Sequence, residues 1–330
     1  MSDPLGALLS RRLLFVTGKG GTGKSTVAAA LAQVAASRGI DTVLAEAGER
    51  GGLAELAASD PISAEASDGR EPVRVAPHLF FLRIQPEIAL AEYLELELGL
   101  RAPVAFVMRS SGFKRLLGAA PGWRELITLG KLWHLVTRDA KRRRRFRLVV
   151  VDAPATGHGL SFLSVPKVVV GTVRLGPLRR HTEAVQALLT DPERTLVIPV
   201  TLPEELPVRE TLELMESVRA LGVATGPVVA NAVEPIPVLS DPARVLDALA
   251  RIPKPDGLPG LCDPPALRVA VAHALRRSAL QREFLAMLRA GVSAPVIELP
   301  YLEGGVRGPA GVAELAACAA RALGRPEAAA

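Results

Sequence analysis

The feature that most constrains this chain is the stretch GKGGTGKST at residues 18–26. It contains the spacing G-x4-G-K-S, beginning at Gly18, and it lies between an apolar segment, LLFVT at 13–17, and an amphipathic one. A strand–loop–helix with this spacing wraps backbone N–H groups around phosphates, and the helix N-terminus adds a favourable dipole. The sequence therefore predicts a phosphate-binding loop, formed by Gly18, Gly20, Gly21, Thr22, Gly23, Lys24, Ser25 and Thr26.

This loop contains two lysines, although one is enough for the phosphates. Lys24 occupies the position from which lysine reaches the β- and γ-phosphates of a nucleotide, and Ser25 the position from which a hydroxyl ligates Mg²⁺. Lys19 would place a second positive charge beside the phosphates, and packing alone does not explain a lysine at this position. These residues predict Mg²⁺ and a nucleotide with β- and γ-phosphates as ligands, which the resemblance described below implies to be ATP, and leave the role of Lys19 to be explained.

A second motif, RLVVVDAPATGHG at 147–159, places Asp152 at the end of an apolar strand. Ligands of open α/β sheets bind beyond the carboxyl ends of parallel strands, so we expect Asp152 to join Ser25 in holding Mg²⁺. The following loop contains His158, for which a chemical role and simple ordering of the loop are both open.

The rest of the chain predicts an α/β fold, in which a mostly parallel, twisted sheet carries helices on both faces. Helices are predicted at 23–39 and 204–222, each ending at a glycine. A single domain, 1–330, is expected to contain a short helical insertion at about 86–140, and 47–78 reads as loop because it is rich in Gly, Ala, Ser, Asp and Pro. Strands are predicted at 13–17, 42–46, 79–84, 147–153, 195–201, 226–232 and 294–300.

Charge and cysteine content bear on partners and compartment. The run RDAKRRRRFR at 138–147 holds seven basic residues and one acidic residue, so it alone accounts for the formal net charge of +6. We interpret it as a solvated segment or a membrane contact; nucleic acid is not an expected partner, because aromatic residues make up only 4% of the chain. Cys262 and Cys318 match no disulfide or zinc spacing, and no apolar run approaches the ~20 residues of a membrane-spanning helix. We therefore expect a cytoplasmic protein.

The two motifs resemble those of a known group of ATPases. GKGGTGKST is similar to the deviant Walker A motif of the MinD/ParA/ArsA class of P-loop NTPases, and DAPATGH at 152–158 is similar to the switch II sequence of the ArsA family. That family includes arsenite-pump ATPases and the ATPases of guided entry of tail-anchored proteins. The resemblance implies an ATPase that works as a nucleotide-switched dimer, with Lys19 reaching the partner's nucleotide. It also implies adenine contacts from Asn231, in VVANAV, and Pro300, in ELPYL.

Three departures from the family pattern limit what the resemblance implies. The switch I position at which the family has a water-orienting Asp is Gly48 here, so either Glu49 or Glu46 substitutes after a shift of the loop, or hydrolysis is slow. The cysteines that bind zinc or arsenite in the family are absent. The insertion has Met108 as its only methionine, which does not favour a groove for transmembrane helices. The predicted catalytic residues are Lys19, Lys24, Glu49 and Asp152.

The leading hypothesis is a magnesium-dependent ATPase that acts as a homodimer on an unknown client protein. Gly48 motivates an alternative, in which a weakly active or inactive nucleotide-sensing subunit forms a heterodimer with an ArsA-like paralogue. A third hypothesis is a ParA- or MinD-like positioning ATPase that uses 138–147 to contact DNA or membrane.

Overall fold

A computed structural model describes residues 3–47, 52–60, 69–98, 104, 106–108, 110–119, 121–137, 146–154, 156–234, 242–251 and 264–324. Within these ranges one sheet is formed by β1 (Leu13–Gly18), β2 (Thr42–Glu46), β3 (Val73–Ala76), β4 (Leu79–Arg83), β5 (Leu148–Asp152), β6 (Thr195–Thr201), β7 (Val228–Val233) and β8 (Val296–Pro300). Its strand order is β3-β4-β2-β5-β1-β6-β7-β8, and β3 pairs antiparallel with β4 whereas the other pairs are parallel.

The helices of the described ranges cover both faces of this sheet. They are α1 (Pro4–Leu9), α2 (Lys24–Ser37), α3 (Leu53–Ala57), α4 (Pro86–Leu98), α5 (Ser111–Ala119), α6 (Trp123–Thr137), α7 (Thr156–Thr172), α8 (Pro177–Thr190), α9 (Glu205–Ala220), α10 (Pro242–Arg251), α11 (Pro264–Gly291) and α12 (Gly308–Gly324). None of these helices is both long enough and apolar enough to cross a membrane.

Alternation along β1 divides the core into two layers, because successive side chains of a strand point to opposite faces. Leu14 and Val16 pack in a cluster with α1, α2, α3 and α12. Leu13 and Phe15 pack in a second cluster with α4, α6, α7, α8 and α9. A smaller third cluster joins α9 and α11 to β7 and β8. The predicted α/β fold with helices on both faces is thus confirmed.

The seven predicted strands all form, with ends within two residues of the predicted ones. The prediction of loop throughout 47–78 was wrong, because α3 and β3 lie within it. Leu53 and Ala54 of α3 are fully buried against the first core layer, and β3 pairs with β4 through a tight turn at His78, whose φ is +58°. Both α3 and β3 are stabilised by contacts with distant parts of the chain, and the amino-acid composition of the segment does not reveal such contacts.

Strand order brings the two sequence motifs together. Strand β1 lies between β5 and β6, and Val16 of β1 is opposite Asp152 of β5 in the parallel ladder. On its other side β5 pairs with β2, where Asp152 is opposite Glu46. The ends of these three neighbouring strands therefore form one edge, from which the loop after β1 begins.

Candidate active site

The loop after β1 turns sharply across the sheet edge, and the structure requires glycine at Gly18 and at Gly23. Gly18 has φ +155°, and a Cβ there would lie 2.1 Å from the carbonyl oxygen of Val200. Gly23 has φ +86°, and a Cβ there would lie 2.2 Å from Nδ2 of Asn231. Helix α2 begins at Lys24, directly after the loop, so the unpaired N–H groups of its first turn lie at the loop.

Lys24 is held inside this loop by the loop's own backbone. Its Nζ donates a 2.9 Å hydrogen bond to the carbonyl oxygen of Lys19, which also accepts one of 2.9 Å from Thr22 Oγ1. Burial lowers the pKa of Lys24, and the nearby charge of Asp152 opposes that shift. Gly20 and Gly21 are exposed beside it, whereas Ser25 and Thr26 are half-buried in the first turn of α2.

Ser25 and Asp152, both predicted as magnesium ligands, are in direct contact. Ser25 Oγ donates a 2.6 Å hydrogen bond to Asp152 Oδ2. The other carboxylate oxygen, Oδ1, is buried and has no hydrogen-bond partner. Burial raises the pKa of Asp152 to about 6, and Glu46 adds to that effect, while the Ser25 hydrogen bond and the charge of Lys24 oppose it. A hydroxyl and an unsatisfied carboxylate oxygen are donors that Mg²⁺ prefers, so these residues fit the ion.

A second unsatisfied oxygen lies at the same edge of the sheet. Thr17 Oγ1, on the penultimate residue of β1, is buried without a hydrogen-bond partner. A Cβ at Gly159, in the first turn of α7, would lie 2.7 Å from this oxygen. Among the described residues only three buried side-chain polar atoms lack a partner, and two of them are Thr17 Oγ1 and Asp152 Oδ1. The sequence did not identify Thr17 as a candidate site residue, because threonine is common in apolar strands.

Glu46, one of the two glutamates considered for orienting water, is engaged elsewhere. Its side chain is almost completely buried, and its Oε2 accepts a 2.6 Å hydrogen bond from Arg83 Nε on the adjacent strand β4. A buried ion pair of this kind favours a structural role. Gly48 and Glu49 lie outside the described residues, so Glu49 stays a prediction.

Lys19 forms an ion pair within its own chain. Its Nζ lies 2.6 Å from Oε1 of Glu210 on α9, and the two side chains are 32% and 31% exposed. Glu210 is 191 positions away in sequence. Sequence reasoning missed Glu210 because nothing in an amphipathic helix distinguishes this glutamate from its neighbours.

The two residues predicted to contact adenine lie in different surroundings. Asn231 Nδ2 donates a 3.0 Å hydrogen bond to the carbonyl oxygen of Thr22, which connects β7 to the phosphate loop. The next residue, Ala232, has φ +54°, and the register between β7 and β8 shifts here. Pro300 instead lines a cavity of 510 Å³, whose other lining residues include Val233, Ser278, Gln281, Arg282 and Glu298.

These features define the class of protein. A mostly parallel sheet leads from β1 through a G-x4-G-K-S loop into α2, and the neighbouring strand β5 ends in Asp152 beside Ser25. This is the arrangement of a P-loop NTPase.

Comparison with known proteins identifies the family. The model of the ArsA family, described as anion-transporting ATPase, matches residues 11–180 and 174–248, and the chain belongs to this family. ATPase BagA of Mycobacterium tuberculosis is 33% identical over 313 residues, which cover 89% of this chain and 88% of that protein. ATPase GET3C of Arabidopsis thaliana is 26% identical over 273 residues, covering 68% of each. The arsenical pump-driving ATPase of Escherichia coli is 29% identical over 215 residues, covering 64% of this chain and 33% of that protein.

Proposed function

We propose that this protein hydrolyses ATP with Mg²⁺ and that ATP binding closes two subunits into a dimer. The observation that carries the proposal is the contact between Ser25 and Asp152, together with the unsatisfied Oδ1 of Asp152. Membership of the ArsA family and the ATPase names of its relatives support ATP as the substrate.

The residues of the loop divide the binding of the nucleotide between them. Lys24 would exchange the carbonyl oxygen of Lys19 for phosphate oxygens, because an anionic acceptor makes a stronger hydrogen bond with an ammonium group than a carbonyl does. Ser25 and Asp152 would hold Mg²⁺, which, when bound, supplies charge neutralisation on the phosphate oxygens. Lys19 would act on the nucleotide of the partner subunit, where it would stabilise charge on the transferred phosphoryl group.

Two further roles complete the proposal. Glu49 would orient the attacking water, since Glu46 is engaged by Arg83. Asn231 would accept a hydrogen bond from the amino group of adenine through Oδ1, because its Nδ2 already donates to the phosphate loop. Pro300 would pack against the same base from the end of β8.

Thermal unfolding and light scattering test the proposal together. We expect Mg-ATP to raise the melting temperature of the purified protein, and a slowly hydrolysed ATP analogue to double its mass in solution. Lys24→Ala should abolish both effects, whereas Lys167→Ala, at an exposed lysine on α7, should leave them unchanged. A mass that stays that of one chain at saturating Mg-ATP would contradict the dimer. If only a mixture with an ArsA-like paralogue gains mass, the heterodimer is correct.

A further inference from the structure

We propose that Glu210 is a positioning residue that holds Lys19 within its own subunit and releases it when the dimer closes. This inference rests on the proposed function, because it assumes that Lys19 acts on the partner's nucleotide. Its basis is the 2.6 Å contact between Lys19 Nζ and Glu210 Oε1. A single ammonium group that is paired with Glu210 in this way is not available to a second subunit.

The two sides of this ion pair differ in rigidity. Glu210 lies on α9, which is anchored in the core by the fully buried Val208 and by Thr211. Lys19 lies in the phosphate loop, between Gly18 and two further glycines. Because a glycine-rich loop has more accessible backbone conformations than a packed helix, we expect Lys19 to move and Glu210 to stay in place.

The bound nucleotide is coupled to this ion pair through the backbone of Lys19. The carbonyl oxygen of Lys19 accepts hydrogen bonds from Lys24 Nζ and from Thr22 Oγ1. When Lys24 turns to phosphate, the same carbonyl loses this donor and keeps the two from Thr22, its Oγ1 and its backbone N–H at 3.4 Å. We expect nucleotide binding to weaken the restraint on the residue whose side chain Glu210 holds, so that the position of Lys19 depends on whether its own subunit has bound ATP.

The exposure of the pair suits a reversible contact. Both side chains are about one-third exposed, so solvent screens the attraction. A pair of this kind biases an equilibrium by up to about fivefold, which is enough to disfavour the released lysine and weak enough for ATP binding to overcome. A fully buried pair would instead hold Lys19 too firmly to serve a partner.

The test compares Glu210→Gln with Glu213→Gln, a control at an exposed glutamate of the same helix. Because each subunit releases one lysine, we expect Glu210→Gln to lower the dissociation constant of the Mg-ATP-bound dimer by about 2- to 25-fold. Turnover should reach half of its maximum at a correspondingly lower protein concentration, with the maximum unchanged. Glu210→Asp, which keeps the carboxylate, should restore most of the wild-type behaviour.

A double variant shows whether Glu210 acts through Lys19. In the Lys19→Ala background, Glu210→Gln should have no effect on association. Lysine-reactive labelling followed by mass spectrometry gives a readout that does not depend on turnover: Lys19 should be modified faster in Glu210→Gln than in Glu213→Gln when no nucleotide is added.

Failure of this inference is distinct from failure of the proposed function. If the wild-type protein associates and turns over ATP but Glu210→Gln behaves like Glu213→Gln, only the role of Glu210 is overturned. A loss of turnover in Glu210→Gln would also overturn it, because Glu210 would then assist the reaction. If the wild-type protein shows no association with ATP, either alone or mixed with an ArsA-like paralogue, the proposed function fails and this inference fails with it.

Discussion

Ser25 and Asp152 are 127 positions apart in the chain, yet Ser25 Oγ donates a 2.6 Å hydrogen bond to Asp152 Oδ2. This contact joins the phosphate loop to the end of the neighbouring strand β5. It leaves a buried carboxylate oxygen of Asp152 unsatisfied. The site is thus built at a cost in stability, which is common where a protein binds a cation.

Replacing Asp152 should reveal that cost. Burial raises the pKa of Asp152 from 3.8 to about 6, so the folded protein retains a proton that the unfolded chain has lost. The carboxylate therefore lowers stability progressively as the pH rises through this window, by about 3 kcal/mol in total. In the presence of EDTA we expect Asp152→Asn to unfold at higher urea concentration than wild type at pH 7.5, with a smaller advantage at pH 5.

The same variant should lose its response to ligand. The substituted amide would offer a neutral oxygen where the carboxylate of Asp152 is expected to hold Mg²⁺, so Mg-ATP should no longer stabilise the protein beyond the effect of ATP alone. Equal stability of Asp152→Asn and wild type at both pH values would contradict the account of this carboxylate.

Substitutions at Glu49 and at Arg83 distinguish a catalytic role from a structural one. Arg83 is the ion-pair partner of the buried Glu46. We expect Glu49→Gln to lower turnover by about 10²- to 10⁴-fold with little effect on unfolding, as for the loss of a general base. Arg83→Met should instead destabilise the fold by about 3 kcal/mol, because it leaves the buried Glu46 without this partner. Steady-state kinetics and urea unfolding of both variants distinguish the roles; unchanged turnover in Glu49→Gln would remove Glu49 from the mechanism.

Asn231 should contribute to the choice of base. Its Nδ2 supports the phosphate loop, and we propose that its Oδ1 accepts from adenine. Asn231→Asp keeps an acceptor for the base but loses the donor to Thr22, whereas Asn231→Ala loses both. Competition binding should show that Asn231→Ala reduces the preference for ATP over GTP by about tenfold, equivalent to one hydrogen bond. An unchanged preference would show that the base is recognised elsewhere.

The sequence predicted the sheet well because its strands are continuous apolar runs, as buried parallel strands are. It missed β3, a short edge strand whose side chains are only partly buried. The phosphate loop and Asp152 were predicted because their chemistry is encoded locally, by spacing and by position at a strand end.

The partners of those residues were not predictable in the same way. Glu210 reaches Lys19 and Arg83 reaches Glu46 only after the chain has folded, and neither has a local signal. The hydrogen bond from Asn231 to Thr22 lies where Ala232 has a positive φ and the β7–β8 register shifts, a conformation that an Ala-Asn-Ala-Val sequence does not suggest. Long-range contacts, rather than the elements themselves, were therefore the missing part.

The most direct test of the central claim is the Mg²⁺-dependent release of phosphate from ATP by purified wild-type, Lys24→Ala and Lys19→Ala proteins, with nucleotide affinity measured alongside. We expect turnover in the wild type and loss of both affinity and turnover in Lys24→Ala. In Lys19→Ala we expect near-normal affinity with turnover reduced by at least about 100-fold, as for a cation that acts in the transition state. Turnover that survives in Lys24→Ala, or that is absent from the wild type with and without an ArsA-like paralogue, would contradict the central claim.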